Sequence, residues 1–325
     1  MPYTIEEVPY DQIHKPTFLT MVSIYSLCDA LIFHPFVVTS AVAELHRVKL
    51  PPDSGMSFLS KLKSSFKANL SIRGAAGYII RAGGGDAAKA SASTVLRAMY
   101  TGFPATFCGL FLYDIVQMLP YSYMKTRLDE SDSLSESIPK PMLAAVLPSL
   151  ACVPFSNAFW VLLRQQVQQR CTGQPHTLSY LFNTRLPSME GGTTSVLLRG
   201  TMVSLFSSVP LAAVNWQIYE TTKKKIQEVF ETKSVWTSVA SGCVSGGLAT
   251  LLTRPIGVVV ARMQTDAERS GFMNTARAVY RAEGPGAFYK GLLARLLSSV
   301  PRSGLFFAVY QSIVTWSKLP GQQHT

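Results

Sequence analysis

Pro301-Arg-Ser-Gly-Leu-Phe-Phe-Ala-Val-Tyr310-Gln311, close to the end of the sequence, has two earlier counterparts with the same proline-to-tyrosine spacing. Pro210 precedes Tyr219-Glu220 and Pro104 precedes Tyr113-Asp114, and small residues stand just before each proline: Thr101-Gly102, Ser207-Ser208 and Ser298-Ser299. A second set of landmarks keeps step with the first, each a proline late in an apolar run: Phe33-His34-Pro35, Cys152-Val153-Pro154 and Thr253-Arg254-Pro255. Arg199-Gly200 lies before Pro210 at the distance of Lys290-Gly291 before Pro301, whereas Ser93-Thr94 holds that place in the first copy. The period is roughly a hundred residues, longer than solenoid or propeller repeats. It predicts one unit copied twice, with copies at residues 1–128, 129–230 and 231–325.

Each copy holds two apolar stretches, giving spans at residues 17–44, 101–124, 141–167, 200–224, 235–262 and 292–317. About 20 apolar residues suffice to cross a bilayer, so the pattern predicts an all-α membrane protein of six transmembrane helices in three repeats. Pro35, Pro154 and Pro255 are expected kink points, tolerated because neighbouring helices, hydroxyls and water satisfy the freed carbonyls. Composition agrees: 47% of the 325 residues are apolar and 15% charged, too few charges to solvate several separate cores.

Other function classes fit poorly. Cys28, Cys108, Cys152, Cys171 and Cys243 lie far apart and read as unpaired packing thiols, so no metal site is expected. The net charge of +11 is scattered between apolar segments and forms no basic stripe for nucleic acid. The sequence has no Ser-His-Asp set, and Gly83-Gly84-Gly85 precedes no lysine at phosphate-loop spacing, so it reads as a flexible joint and no enzyme is expected. Glu6, Glu7 and Asp11 make the start too acidic for a transit peptide.

Charge along the sequence sets the expected orientation. The segments within copies are basic, with Arg47, Lys49, Lys61, Lys63 and Lys67 in the first and Arg262, Arg269, Arg277 and Arg281 in the third, while residues 127–137 between copies are acidic. Lysine and arginine bias places the basic loops on the inner side and both termini on the other. Ala276, Val279, Tyr280 and Ala282 after Gly271 predict a short amphipathic helix on the inner surface.

The run Pro255-Ile-Gly-Val-Val-Val-Ala-Arg262-Met-Gln264, followed by Glu283-Gly284-Pro-Gly-Ala-Phe-Tyr289-Lys290-Gly291, resembles the mitochondrial carrier signature. Glu190-Gly191, Arg199-Gly200 and Tyr219-Glu220-Thr-Thr-Lys223 resemble the family's second repeat and its cytoplasmic gate. The resemblance implies a pseudo-threefold barrel around a central cavity, open to alternate sides in turn. It implies a monomer of the mitochondrial inner membrane, both termini in the intermembrane space, without a cofactor. Cardiolipin is expected at Arg199-Gly200 and Lys290-Gly291.

Mapped onto this sequence, the family's matrix-gate pairs fall on Val37, Ser156 and Gly257 and on Ser40, Phe159 and Val260, none of them charged. The cytoplasmic gate falls on Asp114 with Gln117, Glu220 with Lys223, and Gln311 with Val314, of which Lys223 is expected to pair with Asp114. The family's solute contacts fall on Thr101, Gly102, Ser207, Ser208, Ser298 and Ser299. Arg302, with Arg295 a turn or two earlier, supplies one positive charge, and Asn215 and Trp216 an amide and an aromatic wall. This set points to a small neutral or monocarboxylate solute such as an amino acid. Residues 5–15 and 209–216 resemble the branch containing the branched-chain amino acid carrier. The uncharged gate positions support a second expectation, a non-transporting relative acting as scaffold or insertase, in which case the outer membrane is the alternative location.

Overall fold

The computed structural model describes residues 13–45, 72–86, 89–129, 140–230, 235–265 and 271–316. Lys49, Lys61, Lys63, Lys67 and most of the acidic 127–137 stretch lie outside the described residues. The described chain is helical almost throughout. Long helices α1 (Lys15–Leu45), α4 (Phe103–Asp129), α5 (Lys140–Cys171), α8 (Thr201–Phe230), α9 (Val235–Thr265) and α11 (Leu292–Trp316) alternate with short ones, α2 (Ile72–Ala82), α3 (Ala92–Met99), α6 (Leu178–Tyr180), α7 (Gly192–Leu197) and α10 (Phe272–Glu283). At 1.5 Å per residue, about 20 residues span the roughly 30 Å of hydrocarbon in a bilayer. All the long helices exceed that, and five of them, all but α8, are also apolar enough to cross. α8 carries Asn215, Gln217, Glu220 and Lys223 along its 30 residues, and it is packed between α5 and α9.

Successive long helices touch, and α11 returns to α1, so the six close into a ring. Burial across this ring is the reverse of a soluble protein's. Phe206 is 83% exposed and Phe155 67%, and Ile24, Ile32 and Leu252 also face outward, while Asp114, Gln117, Asn157, Arg254 and Gln264 are buried inside. Apolar residues outward and charges inward minimise free energy only where the outer solvent is hydrocarbon. Pro35, Pro154 and Pro255 each sit within a continuous helix. Pro35 has no N–H to give the Leu31 carbonyl, which accepts instead from the Tyr100 hydroxyl at 2.7 Å.

The helix expected after Gly271 is α10, with Gly271 at its N-cap. Its buried stripe is Thr275, Val279 and Glu283, and Tyr280 lies outside it, 57% exposed. Glu283 faces inward because Arg262 of α9 meets it at 3.1 Å and Lys290 binds its other oxygen, which fixes the helix's rotation.

Small residues let α9 and α11 approach closely. A Cβ on Gly246 would lie 2.3 Å from the Ser303 Cβ, and one on Gly242 would lie 2.7 Å from the Ser303 carbonyl oxygen. Gly246→Leu is therefore expected to destabilise the protein by about 1–3 kcal/mol through overpacking, read as a lower thermal midpoint in detergent. Gly247→Ala, whose Cβ would meet only Val300 Cγ2 at 3.4 Å, should leave the midpoint nearly unchanged.

Candidate functional site

The ring encloses a cavity of about 420 Å³. It has a terminus end, where α1 begins and α11 finishes, and a short-helix end, where α2, α3 and α10 pack on the bundle.

At the terminus end the three even-numbered spans, α4, α8 and α11, meet through aromatic rings. Tyr121 stacks on Trp216 with centroids 3.6 Å apart, and Tyr219 stacks on Phe307 at 3.7 Å. Tyr310 closes on both Tyr121 and Trp216, and its hydroxyl lies 2.8 Å from the Ser122 hydroxyl. Beyond the rings, the Lys125 ammonium lies 3.5 Å from the Glu220 carboxylate, and Lys223 sits over the Tyr219 ring.

This meeting corrects the register of the first copy. Gly102, Gly200 and Gly291 take positive φ of 78°, 79° and 68°, and each immediately precedes one of these helices. Each also packs on the next odd-numbered span: Gly102 on Leu163, Gly200 on Val260, and Gly291 on Ser40 and Ala43. Counted from these glycines, the equivalents of Tyr219 and Tyr310 is Tyr121, which is the tyrosine that meets them, and not Tyr113. Lys125 then falls in line with Lys223, and its ion pair with Glu220 takes the place of the expected Lys223–Asp114 contact. Asp114 instead accepts a 2.7 Å bond from Ser26 inside the cavity.

The second copy is shifted too. The carbonyl preceding each of the three glycines is bound from the odd helix of its own copy: Thr101 by His34, Arg199 by Asn157 and Lys290 by Arg254. His34 and Arg254 stand just before their prolines, but Asn157 comes after Pro154. The equivalents of Val37 and Ser40 are thus Trp160 and Leu163, one turn beyond Ser156 and Phe159. Both are uncharged, as were the expected positions.

The charges at the short-helix end sit elsewhere on the same helices. Glu44 of α1 is buried, with one carboxylate oxygen 2.6 Å from Arg254 of α9 and the other 3.6 Å from Arg164 of α5. One carboxylate thus ties together all three odd-numbered spans. Gln264 braces the same layer: its amide accepts from Arg164 and donates to Asn157 at 2.9 Å, and its carbonyl accepts from Gln165 at 2.6 Å. Arg295 of α11 lines the cavity beside them, its guanidinium 5.6 Å from the centroid of the Trp160 ring.

The residues expected to contact solute divide. Ser299, Asn215, Trp216 and Arg302 line the cavity, as do the expected gate residues Asp114 and Gln117. Ser299 shares a 2.6 Å bond with Thr250, and the buried Asn215 Oδ1 has no hydrogen-bond partner. Arg302 is not the free cation expected, because Asp29 pairs with it at 2.9 Å. Ser298 is buried away from the cavity and bonds the Arg295 carbonyl. Thr101 and Gly102 form the joint at the start of α4, where Arg170 donates to the Thr101 hydroxyl, and the cavity positions are Gly109 and Leu110. The side chains of Ser207, Ser208 and Gln311 lie outside those described.

Glu44, Arg164 and Asn157 escaped the sequence reading, although a charged residue inside an apolar span marks a functional candidate by default. A search for such charges would have found the first two.

A closed ring of membrane-length helices around a charged cavity is the architecture of a multi-pass membrane protein. Residues 231–319 match the mitochondrial carrier protein family. A putative mitochondrial carrier protein PET8 of Eremothecium gossypii is 26% identical over 193 residues, 58% of this chain and 68% of its own length. The mitochondrial adenyl nucleotide antiporter SLC25A25 of Mus musculus is 31% identical over 130 residues, 39% of this chain and 28% of its own. The calcium-binding mitochondrial carrier protein SCaMC-2 of Bos taurus is 31% identical over 126 residues, 38% of this chain and 27% of its own. The matched part therefore spans about a quarter of the length of the last two. Residues 231–319 are thus similar to a mitochondrial carrier domain, and the matched relatives are mitochondrial carrier proteins.

Proposed function

We propose that this protein is an inner-membrane carrier that moves a small, carboxylate- or phosphate-bearing metabolite through the central cavity by alternating access, with both termini in the intermembrane space. The observation that carries the reading is the cavity lining, where four arginines, Arg164, Arg254, Arg295 and Arg302, face two carboxylates, Glu44 and Asp114, with Asp29 behind Arg302 as a third. Excess buried cations in a low-dielectric enclosure favour an anionic guest. An amino acid, bound through its carboxylate, fits this chemistry, and so do the adenyl nucleotides named for the mouse relative. The cavity volume lies within the roughly 300–1,000 Å³ usual for small-molecule sites. An acidic lipid such as cardiolipin belongs at the helix starts around Arg199-Gly200 and Lys290-Gly291.

Purified protein in liposomes should exchange a labelled internal solute for the same solute outside, saturably, for at least one of a panel of amino acids, mono- and dicarboxylates, phosphate and adenyl nucleotides. Folded protein that exchanges none of them would remove the reading. The uncharged residues Val37, Ser40, Gly257 and Val260 favour a second one, a scaffold that no longer transports. Carbonate extraction and protease protection that place the protein in the outer membrane would support it.

A further inference from the structure

We propose that Arg164, Arg254 and Arg295 form the anion subsite of the cavity, and that Glu44 is a built-in competitor which an incoming carboxylate or phosphate group displaces. The inference deepens the carrier reading and rests on it for the claim that solute enters this cavity.

Charge imbalance is the first argument. Three guanidinium groups and one carboxylate line the short-helix end. Glu44 spends one oxygen on Arg254 and the other on Arg164, and no carboxylate lies within 4.0 Å of Arg295 among the described residues. Arg295 is held over the face of Trp160, a contact that leaves the edge of a guanidinium open to a bidentate oxyanion. The buried Nε of Arg254, 4% exposed, has no hydrogen-bond partner. At the opposite end the balance reverses: Asp29 and Asp114 flank the single Arg302, so an anion gains nothing there. The two arginines of α11 are seven residues apart, about 10 Å along a helix at 1.5 Å per residue, so the two ends are distinct subsites.

The competition follows from the geometry. An oxyanion seated against Arg295 has Arg164 and Arg254 as its other partners, and both are held by Glu44. Each arginine it takes releases one of the bonds that join α1 to α5 and α9. Binding at this subsite is thereby linked to separation of the three helices at the short-helix end, because the guest binds more tightly to the state in which Glu44 has let go.

The test is binding to the full chain purified in detergent, read as the rise in thermal midpoint with inorganic phosphate, succinate or acetate, against sodium chloride at equal ionic strength to remove screening. The native protein should show a saturable rise with at least one of the three, and which of them acts separates phosphate from carboxylate recognition. Glu44→Gln removes the competitor and should lower the half-saturating concentration about tenfold, while Arg295→Gln should raise it at least tenfold. An unchanged or weaker response in Glu44→Gln, or an unchanged one in Arg295→Gln, overturns the proposal. If Glu44→Gln does not fold, Glu44→Asp, with its shortened reach, should bind the anion several-fold more tightly than the native protein, and an unchanged affinity overturns it equally. Anion binding with these dependences but without exchange in liposomes defeats the transport reading and leaves the subsite standing. Exchange that is indifferent to Glu44 and Arg295 defeats the subsite alone.

Discussion

Arg254→Met is expected to be the most damaging single change, lowering stability by about 3–5 kcal/mol, because truncating one partner of a buried ion pair is strongly destabilising and Glu44 keeps only the longer contact to Arg164 at 3.6 Å. Glu44 and Arg254 are both almost fully buried, so water cannot take over the lost contact. The same substitution deletes the bond from the guanidinium to the Lys290 carbonyl at the start of α11. A second substitution, Glu44→Met in the same protein, should restore much of the loss, since buried pairs replaced together by apolar residues are often neutral. Thermal midpoints of the two single variants and the double variant, taken as a double-mutant cycle, decide the matter. Additive losses would mean that Glu44 and Arg254 act independently, against the geometry described above.

Trp216→Ala should be nearly as severe, costing about 3–5 kcal/mol as a large-to-small change in a packed cluster. Trp216 is stacked on Tyr121 and meets Phe307 edge-on at 4.8 Å, so its loss weakens the hold of α8 on both α4 and α11, leaving Tyr219 on Phe307 and Glu220 on Lys125. The consequence for function is a loosened terminus end, seen as faster leak of preloaded solute from liposomes without solute outside. Trp216→Phe keeps a ring in the stack and should retain most of the stability. A leak rate equal to the native one in Trp216→Ala would show that the aromatic cluster does not hold the terminus end closed.

Much of the fold was legible because the information is local. A span of apolar residues long enough to cross hydrocarbon declares itself in one dimension, and so does the third-copy signature from Pro255 to Gly291. The register of the first copy was not. Pro104 and Tyr113 reproduce a spacing found in the other copies, yet the pairing that matters runs through Gly102 and Tyr121. A left-handed glycine is recognised only where the chain turns into the helix, and a ring only by what it stacks against. Likewise Pro154 marks the second odd helix in sequence, while Asn157, by reaching the Arg199 carbonyl, sets how far that helix has slid.

The candidate site divides the same way. Arg302, Asn215, Trp216 and Ser299 were identified by their distance from the helix prolines, and they line the cavity. The expected Lys223–Asp114 pair failed because the two residues occupy different turns once the first copy is correctly registered. Sequence by itself determined that this chain is a bundle of lipid-crossing helices, because length and hydropathy act residue by residue along each segment. Only the tertiary structure decided that Glu44 holds Arg254 and Arg164, residues far away along the chain. The partner of a buried charge depends on how each helix is rotated and slid against the others, and those are properties of the packed bundle rather than of any one segment.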